Sequence, residues 1–171
     1  MGLDDLFGGL PVMVVGGVAT RAYAPERQTK DIDVMVEHER FAEATSTLAA
    51  DGWKKNIDLP FPNASLGLDI ISTDQEWGRE AFGAASAFDT TGLRVIPLAY
   101  LTLMKIDSAR GIDQGDLTRM LGRLDNEQIE AIAAIVDRHA HDPQAAEDVR
   151  QYAALGRMEW DSHRGPADTQ L

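Results

Sequence analysis

The sequence predicts an α+β fold, with a small mixed sheet flanked by helices over residues 1–96 and a C-terminal helical part over 97–160 packed on that core. Three observations carry this reading. DIDVMV at 31–36 alternates acids with Ile32, Val34 and Val36 at a period of two, the spacing of a strand with one face toward a core. LGLDIIS at 66–72 is a second apolar run of strand length. Beyond Pro97 the apolar residues recur at helical spacing, as in Ile129, Ile132 and Val136.

Taken in order, Val12 to Val15 is a short β-branched run stopped by Gly16-Gly17, and Val18 to Tyr23 fits a short helix before Pro25. After the acidic strand, Phe41, Ala44 and Leu48 mark a helix from Arg40 to Ala50, closed by Gly52. Trp53 to Asp58 reads as a strand, Leu59 to Ser65 as a loop because it holds two prolines, and Leu66 to Ser72 as a strand. Thr73 with Glu76 has capping-box spacing, and Leu93 to Ile96 reads as a strand ended by Pro97. Helices are expected from Pro97 to about Arg110, over Asp113 to Leu124, from a second capping box at Asp125 and Gln128, and over Gln144 to Met158. Residues 161–171 are polar, contain Gly165-Pro166 and lack periodicity, so a mobile tail is expected there.

At 171 residues the chain suits one domain with a full core, burying roughly 70% of the surface of its unfolded form. With 44% hydrophobic and 26% charged residues and no long apolar run, it is expected to be a soluble protein without a membrane partner. MGLDDLFGGL carries acids where an export signal carries bases, so a cytoplasmic location is expected. The absence of cysteine excludes disulfides, thiolate nucleophiles and cysteine-ligated zinc. A net charge of -12 disfavours a broad electrostatic grip on nucleic acid. His139 and His141 are two apart, which sends them to different faces of a helix and argues against paired metal ligation.

The chemistry concentrates in three acids. Asp31 and Asp33 stand at i and i+2 on a strand, so they project from one face about 6.5 to 7 Å apart. At an effective dielectric near 20 their repulsion is on the order of 2.5 kcal/mol, which a cation relieves. Hard divalent ions such as magnesium take carboxylates, waters and substrate phosphates together. An isolated Asp-x-Asp is more often simply an exposed strand face. Asp69 adds to the pair, because an acid inside an apolar strand is costly unless it is paired or metal-bound. Gly16-Gly17 lets backbone approach a phosphate at a helix start, although a glycine pair alone is often only a tight turn. Lys105 is the single charged residue between Pro97 and Asp107 and either reaches phosphate or an acid of this site, or lays its stem along apolar surface. Arg21 and Arg27 are weaker phosphate candidates. Asp113 and Asp116, three apart, form either a second acidic cluster or a cap and a solvated acid, and the plainer reading is taken for Asp113.

VMVVGGVATRAY, TKDIDVMV and LGLDIIS together resemble the DNA polymerase beta-like nucleotidyltransferase superfamily over residues 12–72. LTLMKIDSARGIDQGDL further resembles the helical half of small bacterial members, including those grouped with abortive-infection toxins. The resemblance implies a nucleotidyltransferase-like sheet and transfer of a nucleoside monophosphate from a nucleoside triphosphate to an acceptor hydroxyl. That hydroxyl would belong to a partner protein, an RNA end or a small molecule. Under it, Asp31, Asp33 and Asp69 are catalytic and bind magnesium or manganese, with Asp69 helping to activate the acceptor. Gly16, Gly17 and Lys105 would bind the nucleotide, with Arg21 beside them as the weaker nucleotide-binding candidate. Gly17 stands where many members carry serine, which removes one hydroxyl contact to phosphate. The alternative is a non-catalytic binding module on the same fold, such as one member of a toxin-antitoxin pair.

Overall fold

The computed structural model describes residues 6–29, 31–50, 58–61, 64–87 and 94–163. The expected mobile tail therefore lies outside the described residues, except for 161–163, as does most of the strand expected over Trp53 to Asp58. The chain divides into two compact units, Met1–Pro97 and Leu98–Leu171.

In the first unit β1 (Val12–Val15) passes directly into α1 (Gly16–Tyr23), so the glycine pair forms the first turn of the helix rather than a link before it. β2 (Ile32–Val36) is followed by a single 3-10 turn and α2 (Phe41–Ala50). β3 (Asp58–Phe61) and β4 (Ala64–Ile71) form an antiparallel pair, followed by α3 (Glu76–Ala84) and two short strands, β5 (Ser86–Ala87) and β6 (Arg94–Val95). The sheet order is β3-β4-β2-β1-β6-β5, mixed in direction: β2 is antiparallel to β1 but parallel to β4. The α+β class with a mixed sheet is thus observed.

Alternation along β2 and β4 sorts their side chains. Ile32, Val34, Val36, Leu68 and Ile70 join Val12 and the α2 residues Ala44 and Leu48 in one apolar cluster closed by Phe7 and Leu10. Asp33 and Asp69 therefore belong to the opposite face. Two local expectations fail. Leu59, Pro60 and Phe61 are strand rather than loop, because β3 lies at the sheet edge, where a residue without an N–H is tolerated. Thr73 does not cap α3: the helix starts after Gln75, with no side-chain cap, and the Thr73 hydroxyl accepts from the Gln75 N–H instead.

The second unit is helical, with α4 (Leu98–Ser108), α5 (Gly111–Leu121), α6 (Asn126–His139) and α7 (Ala145–His163). The expected capping box at α6 forms, with Asp125 accepting from the Gln128 N–H at 2.8 Å and Gln128 reaching back to the Asp125 N–H at 3.1 Å. α5 and α7 cross backbone to backbone at two glycines. A Cβ on Gly122 would stand 2.6 Å from the Gly156 Cα, and a Cβ on Gly156 would stand 2.7 Å from the Gly122 Cα and collide with the Thr118 carbonyl. Among the described residues no helix is long and apolar enough to cross a membrane.

Candidate functional site

The three acids hold different positions. Asp33 lies inside β2 and is partly buried, in register with Asp69 on the parallel neighbour β4 and with Val15 at the end of β1. Register partners on adjacent strands have their backbones about 4.8 Å apart and their side chains on one face, so Asp33 and Asp69 stand side by side. Asp69 is exposed while its neighbours Leu68 and Ile70 are partly buried. The burial cost that singled it out in the sequence therefore does not apply, and register alone joins it to Asp33. Asp31 is exposed and lies one residue before β2. Among the described residues no group of three or more acids or histidines is gathered closely enough to hold a metal ion.

Gly16 is tied to Asp33 by two requirements. Its φ of +57° is the left-handed conformation that side chains resist. A Cβ there would also fall on the Asp33 carboxylate. Only glycine lets β1 turn into α1 over this acid. The Gly17 N–H then donates to Asp33 Oδ2 at 3.4 Å, a long and weak bond. The N-cap residue of α1 makes no side-chain cap and the first turn holds no acid, so the Asp33 carboxylate is the acid beside this helix start. Arg21 is exposed and sits four residues after Gly17, on the same side of the helix.

Lys105 belongs to the second unit, where the ammonium is committed. It is 5% exposed and donates to Asp113 Oδ1 and Asp116 Oδ2, both at 2.8 Å. This corrects two expectations. Its donors point at these carboxylates rather than outward to a phosphate, and Asp113 is a buried ion-pair partner rather than a cap or a solvated acid. The turn between α4 and α5 makes the cluster, with Ala109 in the left-handed region at φ 50° folding α5 back beside the last turn of α4. Asp113 also accepts from Ser108 at 2.6 Å and from Arg110 at 2.7 Å. Burial pushes its pKa up, but the hydrogen bonds from Lys105, Ser108 and Arg110 outweigh that and hold it down, at about 2. Sequence reasoning marked the isolated lysine but missed its partners.

No family model and no curated protein sequence matches the chain. Solved structures of the antibiotic-resistance factor ANT(2'')-Ia are distantly similar. Its solution structure has a TM-score of 0.43 at 15% identity, over 91% of this chain and 86% of the other. Its crystal structure with adenylyl-2''-tobramycin has a TM-score of 0.41 at 17% identity, over 90% of each chain.

Proposed function

We propose that the chain transfers a nucleoside monophosphate from a nucleoside triphosphate to an acceptor hydroxyl at the face formed by Asp31, Asp33 and Asp69 beside the start of α1. The observation that carries this is the joint placement of Asp33. It stands in register with Asp69, and the glycine turn that opens the helix is shaped around its carboxylate. The helix end attracts the acid pair and a phosphate alike, but the acid pair and the phosphate repel each other. A triphosphate drawn to the amides is pushed away by the carboxylates unless a cation lies between.

The donor set suits magnesium or manganese, because such ions are commonly held by one or two carboxylates together with waters and substrate phosphates, without a complete protein cage. Asp31 and Asp33 are the residues to hold it, with Asp69 at its edge. When bound, the ion neutralises phosphate charge and lowers the pKa of the attacking hydroxyl. The chain's own residues do the positioning. The Gly16 and Gly17 amides receive the triphosphate, and Arg21 adds a cation one turn further along the same face. Asp69, exposed and at the strand next to Asp33, is the group to accept the acceptor's proton. Lys105 is left with Asp113 and Asp116.

Calorimetry with each nucleoside triphosphate, with magnesium and then with a chelator, tests the reading. Binding is expected with metal and not without it, and Asp33→Asn should remove the metal-dependent part. Equal binding in both conditions overturns the proposal. For any acceptor that co-purifies and becomes labelled, Asp69→Asn should depress transfer more than nucleotide affinity, as befits a group acting in the transition state.

A further inference from the structure

Gly16 and Gly17 are glycines for different reasons. Gly16 has a positive φ, whereas Gly17 does not and sits in ordinary helical backbone. Glycine inside a helix is about 1 kcal/mol worse than alanine, so something at position 17 must exclude a side chain. That something is Thr29. Its Oγ1 lies 2.7 Å and its Cβ 2.8 Å from where a Cβ on Gly17 would stand. The space a side chain at 17 would take is filled by a threonine from the segment leading into β2.

The hydroxyl arrives at a chemically useful place. It lies against the first turn of α1, beside the amide that donates to Asp33, and among the described residues it donates a long bond of 3.3 Å to the Asp31 carbonyl. A phosphate seated on the α1 amides would be within reach of the same oxygen. Donation to an anion is roughly twice as strong as donation to a neutral carbonyl, so the hydroxyl would turn from Asp31 to the phosphate. Thr29 is partly buried, which restricts its side chain without closing it off from a ligand.

We infer that Thr29 is a triphosphate-binding residue, supplying across the turn the hydroxyl that Gly17 cannot carry. This rests on the nucleotidyl-transfer reading and names a further residue of that site. The segment before β2 then senses the nucleotide directly, since one side chain touches both the phosphate position and the backbone of Asp31.

The test measures affinity for ATP, GTP, CTP and UTP with magnesium in four variants. Thr29→Val keeps the shape and loses the hydroxyl, and should weaken the preferred nucleotide by about 10-fold or more. Thr29→Ser keeps the hydroxyl and should stay close to wild type. Gly17→Ser alone collides with Thr29 and should bind poorly. Gly17→Ser combined with Thr29→Gly returns a hydroxyl to the same space from the helix side and should recover binding. If Thr29→Val binds as well as wild type, or the double variant shows no recovery over Gly17→Ser, Thr29 only packs against Gly17 and the inference is overturned. If wild type binds none of the four nucleotides, the nucleotidyl-transfer reading falls, and this inference with it.

Discussion

In the first unit Asp69 stands in water beside Asp33 on adjacent strands, while in the second Asp113 and Asp116 are sealed against a single ammonium. The two pairs have similar sequence signals and opposite physics. Carboxylates at a surface keep their hydration, so setting two together costs little until a ligand must be accommodated. Carboxylates inside a helical pair survive only with a counterion in contact. In the first pair only Asp69 is exposed, with Asp33 half-buried under the glycine turn, whereas both acids of the second pair are buried against Lys105.

Breaking the buried side of this contrast should have the largest effect. Lys105→Met removes the buried cation that two carboxylates share, leaving the exposed Arg110 and Arg119 beside them, and a loss of about 3 to 5 kcal/mol is expected in denaturant unfolding. A loss below about 1 kcal/mol would show that the cluster behaves like a surface pair. The next effect is acid sensitivity. The folded Asp113 pKa, about 2, lies below its ordinary value of 3.8, so the unfolded chain takes up the proton first as pH falls. The resulting stabilisation, about 2 kcal/mol, is complete above roughly pH 4 and is lost as pH drops through about 2. Comparing stability against pH for wild type and Asp113→Asn isolates it, since the variant should lack that segment of the curve. The smallest effect sharpens the exposed side. Asp69→Asn, measured without metal, should shift stability by no more than about 0.5 kcal/mol, because the carboxylate is exposed to water. A larger loss would make Asp69 a structural acid.

Signals confined to a few residues were legible in the sequence, and those that depend on distant partners were not. The period-two pattern of DIDVMV gave β2 correctly, and the Asp125 and Gln128 box gave the start of α6, because each closes on itself within a turn or a strand. The same spacing at Thr73 and Glu76 misled, since the helix begins only after Gln75. Pro60 hid β3, because its tolerance there comes from an edge position that only the assembled sheet defines. In the candidate site, the acids and the glycine pair were visible as residue types, whereas the Asp33–Asp69 register and the contact between Thr29 and Gly17 arise from long-range pairing. Lys105 stood out by its isolation, yet its partners lie 8 and 11 residues on, across a turn whose hand is set by Ala109.

The meeting of Gly122 and Gly156 has a consequence for how this chain can vary. Most packed pairs drift by exchange, one side growing as the other shrinks, so that total volume is kept. Here each position faces main chain, which cannot shrink. No partner substitution compensates a gain at either site, and the route by which neighbouring core positions coevolve is closed. Among relatives of this chain, the two glycines should be retained together while Leu117, Met120 and Val149, buried side chains of α5 and α7, exchange for other apolar residues.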